Sequence, residues 1–220
     1  MNIWMLLLYL SIGTVAMLVP IMVQGAWYQV KIGKRLLITI LLTIAGTLGT
    51  FLLYYVENGK FGGTSFFGAI FLVPVLFIPV ALALKVPYGR LMDLCAPAEC
   101  AMLVVMKIQC LISDCCGGRL VRFNGFEFVF PSQIAELINA LLLCILLLLL
   151  GRKAKNHRKL FSLYMILYGV SRFVLNLFRD VKNMTILPIP AGNFWAIVSI
   201  VVGMLWLLVL SIKSSKQPQV

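Results

Sequence analysis

Acidic residues are scarce in this sequence: seven Asp and Glu stand among 220 residues, against 19 Lys and Arg and one histidine. Charged residues make up 12% of the chain, about half of the roughly 25% found in soluble domains. So little charge cannot cover a water-facing globule. The lone histidine, His157, lies in a basic connection away from every cysteine, so no metal site is expected, and no cofactor is expected either. No internal repeat, low-complexity linker or composition shift marks a second domain, and residues 1–220 read as one transmembrane domain. The net charge of +12 is dispersed over short connections, not gathered on a face or an arm, which argues against a nucleic-acid partner.

What the sequence has instead is apolar length. Hydrophobic residues make up 62% of the chain and the mean hydropathy is +1.03. A hydrocarbon core about 30 Å thick needs roughly 20 apolar residues per helix. Seven such stretches occur, near Ile3 to Val23, Leu36 to Val56, Phe66 to Leu84, Leu94 to Ser113, Ile134 to Leu150, Leu160 to Phe178 and Phe194 to Ile212. The fold class expected is an all-α polytopic membrane protein of about seven transmembrane helices, with the lipid bilayer as its main partner. The first stretch has no Lys or Arg before it and three just after it, at Lys31, Lys34 and Arg35, so it reads as a retained helix and not a cleaved leader.

Charge bias orients the bundle. One set of alternate connections carries twelve Lys and Arg and the other carries five. Cytoplasmic loops are the ones enriched in Lys and Arg, which puts the N-terminus outside and the C-terminus in the cytoplasm. The remaining two cations, Lys107 and Arg172, lie inside helices.

Local patterns refine the picture. Pro74 and Pro79 remove backbone donors from the third helix, which is expected to bend and to pack inside the bundle, where neighbours satisfy the released carbonyls. The longest external connection, Asp114 to Gln133, alternates Val121, Phe123, Phe126, Phe128 and Phe130 around Asn124-Gly125, predicting a small external β-hairpin closed by a tight turn. Four of the six cysteines, Cys95, Cys100, Cys110 and Cys144, fall in apolar stretches and are expected to pack as small hydrophobes. Cys115 and Cys116 are external and adjacent in sequence, and adjacent residues rarely bridge one another.

Lys107 precedes Asp114 by seven residues and Arg172 precedes Arg179 by seven, both on outward-running helices. At 1.5 Å per residue, both cations sit roughly 10 Å below the outer helix ends. A charge inside a helix costs about 2.5 to 3.5 kcal/mol on insertion scales and usually faces the bundle interior or a wet cavity. Two cations at one depth suggest an anion. Ser65, Gln133, Glu136 and Asn176 fall at similar external ends, with Arg119 in the loop, and together they predict a polar cavity open to the outer leaflet. A phospholipid head group is the anion expected there. Snorkelling of both stems to the interface is the competing reading.

Four sequence blocks, at residues 93–97, 107–118, 130–136 and 168–173, resemble those of a known family, the prolipoprotein diacylglyceryl transferases, integral bacterial enzymes of seven helices with an external N-terminus. Asp93-Leu94-Cys95-Ala96-Pro97 resembles the family's D-x-x-A-P block. Lys107-Ile108-Gln109-Cys110, followed by Cys115-Cys116-Gly117-Gly118, resembles a variant of its signature, with Lys107 at the position of the signature Arg. Phe130-Pro131-Ser132-Gln133-Ile134-Ala135-Glu136 resembles the P-[ST]-Q-L-Y-E block. Tyr168-Gly169-Val170-Ser171-Arg172-Phe173, with Arg179 beyond, resembles the Y-G-x-x-R-F block of the penultimate helix.

The resemblance implies transfer of the diacylglyceryl group of phosphatidylglycerol to the lipobox cysteine thiol of a prolipoprotein signal segment, in the bacterial plasma membrane. It implies Arg172 and Lys107 as catalytic cations. Together with the polar groups at the external helix ends, this makes Arg119, Gly118, Gln133, Glu136, Tyr168, Asn176, Arg179 and Ser65 the expected substrate-binding residues. Phe67-Gly68-Ala69 stands where the family carries His-Gly-Gly, and Asn176 stands where a Glu is usual. The thiol's proton acceptor is thus unassigned, with Asp114 and Glu136 the candidate acids. The alternative is a catalytically silent relative that binds phospholipid or lipoprotein signal segments.

Overall fold

A computed structural model describes residues 3–60, 62–115, 117–123, 126–153, 158–179, 185–186 and 189–215. Among them the chain forms seven helices: α1 (Ile3–Trp27), α2 (Ile32–Asn58), α3 (Phe67–Leu84), α4 (Tyr88–Ile112), α5 (Ser132–Lys153), α6 (Leu160–Asn176) and α7 (Ala191–Ser215). Six are long and apolar enough to cross a membrane, and α6, with 17 residues, sits at the lower limit of spanning length. The chain is a multi-pass membrane protein. Helices are what a bilayer demands of such runs, since no water satisfies an open backbone there.

The apolar runs predict where the helices lie; α1, α2, α4, α5 and α7 reach beyond them at one end or both, while α6 stops two residues short. The largest difference is at α4, which begins at Tyr88 and not near Leu94, so that Arg90 and Asp93 belong to its first turns. Pro87 directly precedes this helix, where its missing N–H costs nothing. At the other boundaries, Gly59 (φ 66°) closes α2 with its N–H on the Tyr55 carbonyl, and Lys85 (φ 51°) closes α3.

The central helix is α4, which touches α1, α3, α5 and α6. This corrects the expectation for α3: Pro74 and Pro79 do lie in it, but one of its faces is open to lipid at Val75, Ile78 and Leu82. Its other face is pressed onto α2. A Cβ at Gly68 would fall 1.9 Å from the Gly49 carbonyl oxygen, so the two backbones are in contact through glycine. Tyr88 Oη donates to the Pro74 carbonyl at 2.8 Å, linking the start of α4 to the middle of α3.

At the end assigned to the cytoplasm by the charge count, Asp93 is the organising group. Its Oδ1 accepts the Leu160 N–H at 2.9 Å, so a side chain on α4 caps the first turn of α6. Tyr28 lies next to it, its phenol pushed well above the usual range by burial and then by the Asp93 carboxylate. Nearby, Lys34 Nζ donates to the Leu84 carbonyl at 2.5 Å and Arg35 Nε to the Val30 carbonyl at 2.6 Å, closing two more connections. His157 lies outside the described residues.

At the opposite end, β1 (Leu120–Phe123) pairs antiparallel with β2 (Phe126–Val129), matching Leu120 with Val129 and Arg122 with Glu127. This is the hairpin predicted from the alternation, and its Asn124-Gly125 turn lies outside the described residues. A second pair, β3 (Thr185–Ile186) with β4 (Ile189–Pro190), precedes α7 and carries too few residues to show a pattern in the sequence. Gly118 bridges Arg179, and the Arg119 N–H donates to the Phe178 carbonyl at 3.0 Å, so the connection before β1 lies across the end of α6.

Candidate functional site

Three helices and the segment just beyond α6 bring charged groups together at this second end. Glu136, one turn into α5 and 4% exposed, is the hub. Lys107 from α4 pairs with its Oε2, Arg172 from α6 meets its Oε1 at 2.5 Å, and Arg179, just beyond α6, approaches the same oxygen at 3.8 Å. Three cations against one carboxylate leave two net positive charges in a poorly hydrated place. Water does not screen them there as it does on a soluble surface.

Arg172 and Arg179 line a cavity of about 1130 Å³ bordered by α1, α2, α3, α4, α6 and the start of α7. That exceeds the roughly 300–1,000 Å³ of ordinary small-molecule pockets. Its wall is polar at the Arg172 end, with Arg179, Asn176, Tyr168, Ser65 and Gly118, and more apolar further in, where Met17, Leu42 and Met102 stand beside the single carboxylate of Glu99. A charged head with apolar tails matches that distribution.

The candidate residues divide in the structure. Arg172, Arg179, Tyr168, Asn176, Ser65 and Gly118 line the cavity. Lys107 does not: it pairs behind the wall with Glu136, the carboxylate that also holds Arg172. Arg119 is exposed outside the cavity, its guanidinium carbon 5.9 Å from the centre of the Phe178 ring. Gln133 also stays outside, its Nε2 donating to the Cys115 carbonyl at 2.8 Å and fastening the connection before β1 to α5. Neither residue has a place on the wall because each is spent holding the loop.

Gly118 has a steric role. A Cβ there would lie 1.7 Å from the Phe130 carbonyl oxygen, so only glycine lets this loop pass over the segment leading into α5. Phe67, where the family's histidine would stand, is buried and packs edge-on against Tyr168 with ring centres 5.4 Å apart. Phe66 meets the same tyrosine at 5.5 Å. Cys95, Cys100 and Cys144 are buried as expected, and Cys144 Sγ donates to the Pro97 carbonyl at 3.4 Å, but Cys110 is half-buried on the cavity wall. Cys115 is exposed at the cavity rim, and Cys116 lies outside the described residues.

Two acidic residues that the motifs do not flag also line the cavity. Glu57, at the end of α2, accepts the Ser65 hydroxyl at 2.9 Å. Glu99, in the middle of α4, is 3% exposed and lies beside the hydroxyl of Tyr164. A carboxylate inside an apolar run is itself a signal, and Glu99 carried it unaided by any motif. Of the acids expected to take a proton, Asp114 is exposed and off the cavity wall, and Glu136 is held by its three cations.

Comparisons with known proteins identify the family. A family model described as prolipoprotein diacylglyceryl transferase matches residues 3–209. Similar proteins include a phosphatidylglycerol–prolipoprotein diacylglyceryl transferase of Clostridium tetani, 28% identical over 126 residues, or 52% of this chain and 51% of that one. The chain thus matches about half the length of that relative. It is more widely similar to phosphatidylglycerol–prolipoprotein diacylglyceryl transferase 2 of Clostridium perfringens, 27% identical over 204 residues covering 81% of this chain and 80% of the other. The corresponding transferase of Polaromonas naphthalenivorans is 27% identical over 211 residues, 83% and 77% of the two chains. With all four motif blocks inside the matched span and three of them meeting at one cluster of cations, the chain belongs to the prolipoprotein diacylglyceryl transferase family.

Proposed function

We propose that this protein transfers the diacylglyceryl group of phosphatidylglycerol to the lipobox cysteine of a prolipoprotein signal segment, in the bacterial plasma membrane. The single observation that carries the reading is Arg172, a half-buried cation on the wall of a lipid-sized cavity, paired with Glu136. The names of the related proteins supply the substrates, and the chemistry explains why such a wall suits them.

The reaction breaks a bond between a glyceryl carbon and a phosphate oxygen as a thiolate attacks the carbon. Charge grows on the departing phosphate, which bears close to one negative charge as a diester and about 1.5 to 2 once released. Fixed cations in a poorly hydrated site stabilise that growing charge without having to reorganise. Arg172 and Arg179 face the phosphate directly, and Arg offers a planar fork that matches phosphate oxygens. Lys107 acts as a positioning residue through Glu136. Tyr168 and Asn176 supply neutral donors around the head group, and the apolar part of the inner wall takes the acyl chains.

The test is mass spectrometry of a lipobox peptide incubated with the purified protein in phosphatidylglycerol vesicles. The expected result is a thioether-linked diacylglyceryl adduct with stoichiometric release of glycerol phosphate. Phosphatidylglycerol bound to the protein with no adduct formed would favour the lipid-binding reading instead, which has Phe67 at the histidine position in its support.

A further inference from the structure

Thiol attack needs a proton acceptor, because a thiol with a reference pKa near 8.5 is only slightly ionised at neutral pH. The acceptor must face the cavity, and it must not already be neutralised by a cation. Two carboxylates among the described residues line the cavity, Glu57 and Glu99, and no Lys or Arg among those residues forms an ion pair with either.

Depth separates them. Glu99 precedes Lys107 by eight residues in α4, which places it about 12 Å further into the bilayer at 1.5 Å per residue. That is the level of acyl chains, and its neighbour there is the hydroxyl of Tyr164. Glu57 is the penultimate residue of α2 and lies at the same end of the bundle as Arg172 and Arg179. That is where a cysteine following a signal helix would enter.

Glu57 is also held in position. Ser65 Oγ donates to its Oε1 at 2.9 Å, while the Ser65 N–H donates to the Thr50 carbonyl at 3.0 Å, so the serine joins the carboxylate to its own helix. Trp195 of α7 lies beside the same carboxylate. The serine thereby orients the carboxylate on the cavity wall.

We propose that Glu57 is the general base of the transfer, with Ser65 as its positioning residue. The assignment rests on the transferase reading above. The carboxylate of Glu57 takes the S–H proton of the lipobox cysteine as the sulfur lone pair forms the S–C bond. The C–O bond breaks with its electron pair going to the phosphate oxygen facing Arg172. The proton on Glu57 then passes to water or to the released glycerol phosphate, which restores the carboxylate.

The experiment compares Glu57→Gln with the unaltered protein on two lipobox peptides, one with its cysteine and one with selenocysteine. A selenol is ionised at neutral pH and needs no base. The expected result is a loss of about 100-fold or more in kcat with the thiol peptide, the usual worth of a general base, and near-normal transfer with the selenol peptide. Partial recovery of thiol transfer in Glu57→Asp would agree. Equal losses on both peptides would overturn the assignment and make Glu57 structural, and so would an unchanged rate with the thiol peptide. No transfer to either peptide by the unaltered protein would overturn the transferase reading itself, and this assignment with it.

Discussion

Arg172 reaches Glu136 from a different helix, its Nη1 2.5 Å from Oε1, and Lys107 takes the other oxygen of the same carboxylate. The acid is what makes two intramembrane cations tolerable side by side. Breaking such a buried cluster by removing its shared partner typically costs about 3–5 kcal/mol, because uncompensated charge is left behind. Glu136→Ala is therefore expected to lower the melting temperature in detergent and to abolish transfer. Glu136→Ala combined with Lys107→Ala should recover part of the stability, since one of the stranded cations is then gone. A melting series of the single and double variants checks this.

Gly118→Ala should fold and yet be defective. The new methyl would collide with the Phe130 carbonyl, so the loop has to lift away from Arg179. A displacement of about 1 Å at a reacting centre can cost 100-fold. Steady-state transfer should fall by roughly that factor while circular dichroism stays unchanged. A normal rate would mean the loop does not position Arg179.

Gly68→Val tests the packing of α3 on α2, where the two backbones meet at Gly49. Overpacking of this kind costs about 1–3 kcal/mol. The expected outcome is a lower melting temperature and faster proteolysis in the 59–66 connection. A change at Gly33, which has open space around it, should do neither.

Apolar runs, charge bias and alternation carried the helix count, the helix order and the hairpin, because each of these depends on patterns that repeat along the chain. Pairwise contacts leave no such trace. Lys107 and Arg172 stood out as intramembrane cations, but nothing in the sequence said that Glu136 would claim both and draw Lys107 off the cavity wall. Arg119 and Gln133 looked like cavity groups because they fall near the right helix ends. Their hydrogen bond and ring contact instead hold the loop. Glu57 was hidden at the boundary between an apolar run and a polar connection, where a glutamate is unremarked, and only folding brings Ser65 back to it.

Asp93→Ala should separate stability from chemistry. Its carboxylate caps α6 at the far end of the bundle from the cations, and loss of a helix cap costs about 0.5–2 kcal/mol. The melting temperature should drop with KM for the lipid unchanged in whatever fraction remains folded. Asp93→Asn, which keeps an acceptor oxygen for the Leu160 N–H, should retain most of the stability.

The central claim is that Arg172 stabilises the departing phosphate, and kinetics of Arg172→Ala and Arg172→Lys in phosphatidylglycerol vesicles with a lipobox peptide test it most directly. The account predicts a loss of at least about 100-fold in kcat for alanine, in the range seen when one preorganised donor to a developing negative charge is removed, with lysine recovering only part of it. An alanine variant that transfers at the unaltered rate, or one that loses only lipid affinity, would contradict it.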